Sequence, residues 1–236
     1  MAKAELGLLD NPIWNALRTD HAAIALGDDR ARRYPPEIGP LAGIPEQAAD
    51  SYEALGTLAG SGIIALFSIE PFHIPSGWKV LREGSIVQMI RERAPQPGPH
   101  VSSLVSQSVS LRQLTAANVP AMVALAELTE PGPFRSRTFE LGNFYGIFHR
   151  DRLVSMAGKR MHLPGLVEVS AVCTHPDARG RGYARRLMSI VIDEIERDGK
   201  TAFLHSFAEN PALALYAQLG FVLRAQFQFA ALTPGS

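Results

Sequence analysis

The stretch of this 236-residue sequence richest in chemistry is Val169-Ser-Ala-Val-Cys-Thr-His-Pro-Asp-Ala-Arg-Gly-Arg-Gly-Tyr-Ala184. Residues 167–174 predict a strand, which runs into a loop containing Gly180 and Gly182. Apolar residues at Ala184, Leu187, Met188, Val191 and Ile195 then recur at helical spacing, so the loop leads into the N-terminus of an amphipathic helix. Glycines let main-chain N–H groups approach an anion closely, and the unpaired amides and positive end of a helix favour phosphate oxygens. Four arginines against one aspartate between Asp177 and Arg186 add a local +3, suited to a polyanion. The pattern reads as a phosphate cradle, with plain turn chemistry as its alternative. A dinucleotide fingerprint would need a small residue where Arg185 stands, and a P-loop would need Gly-Lys-Ser/Thr, so neither fits.

The elements that must hold this loop are legible around it. Residues 108–114 predict a strand and Asn118-Val119-Pro120 opens a helix through Leu128. Residues 143–148 and 153–157 flank His149-Arg-Asp-Arg152 as a hairpin. Asp198-Gly199 stops the helix after the loop, residues 201–207 form the next strand, a short helix ends at Leu219-Gly220, and residues 221–232 give a last β segment or hairpin. The first half is less regular: a helix opens at Asn11-Pro12, another at Asp50, residues 62–69 predict a buried strand, and residues 77–90 a hairpin turning at Arg82-Glu83-Gly84. Between the halves, Ala94-Pro-Gln-Pro-Gly-Pro-His100 reads as a linker, which divides the chain into 1–105 and 106–236.

Composition excludes several classes. With 23 Lys+Arg against 23 Asp+Glu, the formal net charge is zero, which argues against a nucleic-acid-coating protein. That zero conceals an acidic first segment at −3 and a basic second one at +3. Apolar residues at 46% and charged ones at 19% are those of a folded globular chain. Cys173 is the sole cysteine, so no disulfide framework or multi-cysteine zinc site exists, and the seven histidines show no ligand spacing. An apolar run no longer than Ile63-Ile-Ala-Leu-Phe67 cannot span a bilayer, and the N-terminus lacks a signal pattern, so a cytoplasmic protein is expected.

Arg179-x-x-Gly182-x-Ala184 resembles the coenzyme A pyrophosphate loop of the GNAT superfamily of N-acetyltransferases. Downstream, Asn210-x-x-Ala-x-x-Leu215-Tyr216-x-x-x-Gly220-Phe221 resembles the second signature of that superfamily. The resemblance covers roughly 106–236 and implies an α/β (α+β) fold, a mixed, largely antiparallel, splayed sheet flanked by helices. It implies that the main-chain amides of Arg179, Gly180, Arg181, Gly182, Tyr183 and Ala184 bind the pyrophosphate of acetyl-CoA. The pantetheine arm would lie along Val172, Cys173 and Thr174, with the Val172 amide meeting the thioester carbonyl as an oxyanion donor. Asn210 would hydrogen-bond that arm, and Tyr216 would protonate the departing thiolate. Tyr216 has the plainer alternative of a core tyrosine.

Glu168 is the one acid between Arg152 and His175, at a strand start where several GNAT enzymes keep a glutamate. Burial there would raise its pKa toward that of a general base, while the alternative is a solvated strand-end charge. Cys173 beside the thioester invites an acyl-cysteine route, against the commoner reading of a small buried thiol. On the acceptor side, Glu127 and Glu130 would attract a cationic amine, and Phe134, Phe227 and Phe229 would wall an apolar group, unless these are helix-end acids and core aromatics.

The first segment lacks both signatures. It is expected to be a degenerate GNAT-like or α/β lobe, as in tandem-lobed relatives similar to glycine N-acyltransferases, contributing a wall or lid to a single site, with an unrelated helical cap as the alternative. The expected activity is acetyl transfer from acetyl-CoA to a primary amine of a small or amino-acid-like acceptor, in a ternary complex. Peptide or protein acetylation and non-catalytic coenzyme A sensing are the alternatives. No metal, nucleic acid or membrane partner is expected, and a homodimer is left open.

Overall fold

The computed structural model describes residues 6–92 and 109–235. Its helices are α1 (Pro12–Arg18), α2 (Ala49–Ala59), α3 (Val119–Thr129), α4 (Tyr183–Arg197) and α5 (Leu213–Gln218). Its strands are β1 (Leu26–Gly27), β2 (Arg32–Arg33), β3 (Ala42–Gly43), β4 (Ile64–Ser68), β5 (Trp78–Arg91), β6 (Val109–Gln113), β7 (Phe144–His149), β8 (Arg152–Leu163), β9 (Leu166–Thr174), β10 (Thr201–Phe207) and β11 (Phe221–Pro234). The first three strands make a small antiparallel sheet. The other eight form one sheet in the order β4-β11-β5-β10-β9-β8-β7-β6, antiparallel except where β9 meets β10. The splayed, largely antiparallel architecture implied by the sequence is present.

The parallel pair arises because α4 carries the chain from the end of β9 back to the start of β10, the crossover a parallel pair requires. Helix α4 buries Tyr183, Leu187, Met188, Val191, Ile192 and Ile195 as one stripe against the sheet. It stops where Gly199, at φ +70°, takes the left-handed conformation just beyond its C-cap Asp198. Helices α1 and α3 cover the opposite face of β8. With both faces covered, β8 reads as a nearly continuous buried run instead of an alternating one.

The linker at 94–100 and the boundary near 105 lie outside the described residues. On either side of them the chain shares one sheet: β5, from the first segment, lies between β10 and β11 of the second. The expected hairpin over 77–90 is a single strand. Residues 82–84 do not turn, because β5 pairs with β11 from Arg91 opposite Phe221 to Trp78 opposite Pro234. Gly84 serves close approach there. A Cβ at this position would lie 3.1 Å from the Phe229 ring, so the missing side chain makes room for an aromatic that crosses the strand. Likewise 221–234 is one long strand.

The first segment docks by burying Leu9, Ile13, Leu17 and Tyr34 against Met161 and Leu163 of β8 and Phe203 of β10. His21 is buried in the same contact, its Nδ1 2.7 Å from the Tyr34 hydroxyl and its ring 5.4 Å from that of His162. Burial, and then the neighbouring His162, lower the pKa of His21 from 6.5 to about 4, and burial lowers that of His162 as well. No helix among the described residues is long and apolar enough to cross a membrane.

A histidine that stays neutral in the fold but charges when unfolded makes stability fall as pH drops through the interval between its two pKa values. For His21 that interval runs from 6.5 down to about 4. Urea unfolding is therefore expected to show a loss of about 3 kcal/mol across it, and His21→Gln should remove most of that slope. A slope unchanged in the variant would assign the acid sensitivity elsewhere.

Candidate active site

Strands β9 and β10 stay paired for three residues, Leu166, Val167 and Glu168 against Thr201, Ala202 and Phe203. Beyond Glu168 they part, β9 remaining on β8 and β10 on β5. The wedge between them opens into a cavity of about 480 Å³ lined by residues from both faces of the sheet, Leu204 and Tyr216 from the α4 side and Leu41 and Phe67 from the other. Alternation along β10 divides its lining: Leu204 belongs to the core under α4, whereas the His205 ring lies 5.1 Å from that of Phe67 of the first segment.

Two bulges in β8/β9 shape the wedge. In the first, Gly158 pairs with Ser170 and Met156 with Cys173, so Ala171 and Val172 together oppose Ala157. Ala171 has φ +53°, a left-handed backbone held in the middle of a strand beside the cavity, and such strain persists only where the surroundings enforce it. The distortion re-aims the main chain at Val172, the residue expected to supply the oxyanion donor. In the second bulge, Lys159 pairs with Val169 and His162 with Val167, leaving Arg160 and Met161 opposite Glu168.

That second bulge turns Arg160 onto Glu168. Arg160 Nε and Nη2 donate to the two carboxylate oxygens at 2.7 and 2.8 Å, and His205 Nδ1 lies 2.9 Å from Oε1. Burial alone would push the Glu168 carboxyl up, but the charge and hydrogen bonds of Arg160, with the bond to His205, outweigh it and hold the pKa at about 2. The expected rise is therefore reversed. Burial came with a fixed cation, so at neutral pH this carboxylate is ionised and a weak proton acceptor. Gln88 Nε2 lies 3.0 Å from His205 Nε2 and donates to the Leu9 carbonyl at 3.0 Å, while its Oε1 accepts from Arg224. With Gln88 donating, His205 carries its proton on Nδ1 and gives it to Glu168.

The remaining expected site residues fall on two groups. Val172, Asn210 and Tyr216 line the cavity together. Tyr216 is buried, and burial followed by the nearby Cys173 pushes its hydroxyl to about 12, so it holds its proton at neutral pH. Asn210 is fixed by its own bonds, accepting from the Ala212 amide at 2.9 Å and donating to Ser206 Oγ at 3.0 Å. Thr174 shares a 2.8 Å hydroxyl contact with Ser155 and accepts from Arg179 through its carbonyl.

The second group is the loop itself. Gly180 and Gly182 have φ of +74° and +75°, and helical bonding begins with Arg186 N donating to the Gly182 carbonyl at 3.1 Å. The amides of 183–185 therefore project from the end of α4. Arg179, Gly180 and Arg181 are exposed, whereas the Tyr183 side chain is buried in the core and offers only its main chain. This arrangement fits a pyrophosphate.

Cys173 packs with Met122, Leu125 and Met156 under α3. Burial drives its thiol up to about 11. His175, its nearest candidate base in sequence, is engaged with Arg152 and accepts from the Asp177 amide. Cys173 is thus a core thiol without an activating base. Among the acceptor residues, Glu127, Glu130, Phe134 and Phe229 line the cavity, while Phe227 is fully buried. Leu41, Phe67 and Arg82 of the first segment complete the wall, none of which carried a sequence signal.

Residues 144–230 match the FR47-like protein family. A crystal structure of a GNAT-family protein from Novosphingobium aromaticivorans is 38% identical, covering 97% of this chain and 99% of that one with a TM-score of 0.83. GCN5-related N-acetyltransferase structures share the fold at lower identity. One from Kribbella flavida is 15% identical over 95% of each chain with a TM-score of 0.60. One from Streptococcus suis is 16% identical over 94% and 92% with a TM-score of 0.55. No curated protein matches the sequence. With a relative of that identity aligned over nearly its whole length, and with the glycine loop and splayed strands in place, the chain belongs to the GNAT family of acetyltransferases.

Proposed function

We propose that this protein transfers the acetyl group of acetyl-CoA to a primary amine of a small, amino-acid-like acceptor by direct attack in a ternary complex. The observation that carries this reading is the wedge lined from both faces of the sheet: in it the phosphate cradle and Tyr216 would serve the α4 side, and a largely apolar wall forms the other. Donor and acceptor would reach the β9/β10 gap from opposite faces. In this reading 106–236 holds the donor, and 1–105 walls the acceptor cavity.

The donor supplies a thioester whose acyl carbon accepts the amine nitrogen. The Val172 amide, at the bulge, would donate to the oxygen as it becomes an oxyanion. When the carbon–sulfur bond breaks, Tyr216 would give its proton to the sulfur, a transfer made feasible because its buried hydroxyl is protonated at neutral pH. Water reaching the open cavity takes the proton lost by nitrogen. Glu168, held ionised by Arg160, acts instead as a positioning residue that fixes Arg160 and His205 at the vertex of the wedge. The thiol of Cys173, which burial pushes up to about 11, and its lack of an activating base favour direct attack over an acyl-cysteine.

Tyr216→Phe should lower kcat about 100-fold, with little change in KM for acetyl-CoA, in an assay of thiol release. Full turnover in that variant would remove the assigned acid. Gly182→Val should abolish acetyl-CoA binding in calorimetry, because a β-branched residue at φ +75° is strained and intrudes on the cradle, and unchanged affinity would reduce the loop to a turn. Glu168→Gln should cost about 3 kcal/mol in urea unfolding by stranding the Arg160 charge. The limb of its kcat–pH profile that reports amine deprotonation should stay in place, and loss of that limb would restore Glu168 as the base.

A further inference from the structure

Arg82 stands on the acceptor side of the cavity, at the boundary with a smaller depression lined by Ser85, Glu209 and Pro211. Its guanidinium lies over the Phe207 ring at 5.1 Å and the Phe229 ring at 5.7 Å, and those two rings meet edge to face at 5.8 Å. Arg82 is exposed, yet none of the ion pairs among the described residues includes it. Glu83, beside it on β5, and Glu209 also line the smaller depression but do not pair with it. A long cationic side chain ordinarily samples many rotamers, and two aromatic faces restrict this one without neutralising it. The planar fork of donors stays available to an anion.

The opposite rim carries the complementary charge. Glu127 and Glu130, at the end of α3, line the same cavity and are likewise outside the ion pairs, and Phe67 and Leu41 supply the apolar walls between the rims. Two other cations line the cavity: Arg160, which is buried and spends Nε and Nη2 on Glu168, and Arg135, which is exposed in the loop after α3 and has no aromatic ring stacked against its guanidinium among the described residues.

We propose that Arg82 is a specificity-determining residue that binds the carboxylate of the acceptor, so that the substrate class is small, apolar-bodied amino acids and not simple amines. This rests on the acyl-transfer reading above. Guanidinium and carboxylate match as a bidentate pair, and Phe207 and Phe229 hold the fork at a fixed height on the wall. Carboxylate and amine share one carbon in such an acceptor, so a carboxylate seated on Arg82 fixes the amine beside it. Glu127 and Glu130 would favour entry of a cationic acceptor into the cavity, and the amine would give its proton to water before it attacks at the β9/β10 gap.

The test is acetyl-CoA-dependent thiol release with matched pairs, each of phenylalanine, leucine and methionine against its decarboxylated amine, for the wild type, Arg82→Met and Arg82→Lys. The wild type is expected to favour at least one amino acid over its amine in kcat/KM. Arg82→Met should raise KM for that amino acid about ten- to a hundredfold and bring the ratio within each pair close to one. Arg82→Lys should recover part of the preference, since charge returns without the stacked fork. Equal loss for both members of each pair, a wild-type preference for the decarboxylated amines, or acetylation of no member while calorimetry shows acetyl-CoA bound would each overturn the carboxylate assignment and leave the donor site standing. Absence of acetyl-CoA binding would instead overturn the acyl-transfer reading itself. Matching thermal midpoints of the three proteins exclude misfolding as the cause of a change.

Discussion

The constraint on which the rest of this molecule depends is that two parallel strands must part while remaining in one sheet. Parting leaves main-chain donors and acceptors of β9 and β10 without each other, an arrangement that costs free energy unless water, a ligand or other groups take them up. The vertex is where the cost is contained. Glu168, the last residue of β9 to pair with β10, accepts from Arg160 of β8 and His205 of β10, so one carboxylate ties three adjacent strands together where they would otherwise zip or tear. A buried ion pair is weak support for stability in general, because desolvation offsets attraction. Here the carboxylate is satisfied by several donors, and His205 is in turn held by Gln88, whose Oε1 accepts from Arg224. The network specifies an angle between strands, which apolar packing, being non-directional, specifies poorly.

From that angle follows a division of labour across the sheet. The face carrying α4 offers amides and arginines, fit for an anionic, extended donor. The face carrying α1, α3 and the first segment offers Phe67, Leu41 and Phe229, with Arg82, Glu127, Glu130 and Arg135 exposed around them and the buried Arg160 spent on Glu168. The two bulges serve one face each in this scheme: that at Ala171 turns main chain toward the gap, and that at Arg160 turns a cation toward the vertex.

The donor half of the site was legible because its chemistry is local. A glycine loop, the helix it feeds and the Asn210…Tyr216 spacing all lie within about one βαβ unit, and periodicity identifies each piece. Glu168 was found for its position and misjudged for its ionisation. Its cation comes from eight residues upstream, across a hairpin, by way of a bulge, and no strand pattern announces a bulge. The β5 strand was misread for a related reason. Gly84 looks like a turn residue in sequence, whereas it is small because Phe229, 145 positions later, must cross it. That misreading concealed Arg82, since a residue placed in a turn is not expected to wall a cavity.

The same distinction explains why family membership leaves the acceptor open. The FR47-like match spans 144–230, which takes in the loop, the wedge and Tyr216. Leu41, Phe67, Arg82, Glu127, Glu130 and Phe134 all lie before it, on segments that approach the cavity from the other face. In the proposed reading the donor is recognised by the local spacing of the glycine loop and of the Asn210 to Tyr216 stretch. The acceptor is recognised by long-range packing, where β5, inserted between β10 and β11, brings a wall from the first segment to a gap made by the second. In the proposed reading, acceptor specificity is therefore a property of how the first segment is built into the sheet, and changes at its cavity-facing positions would alter the acceptor without disturbing the loop assigned to the donor.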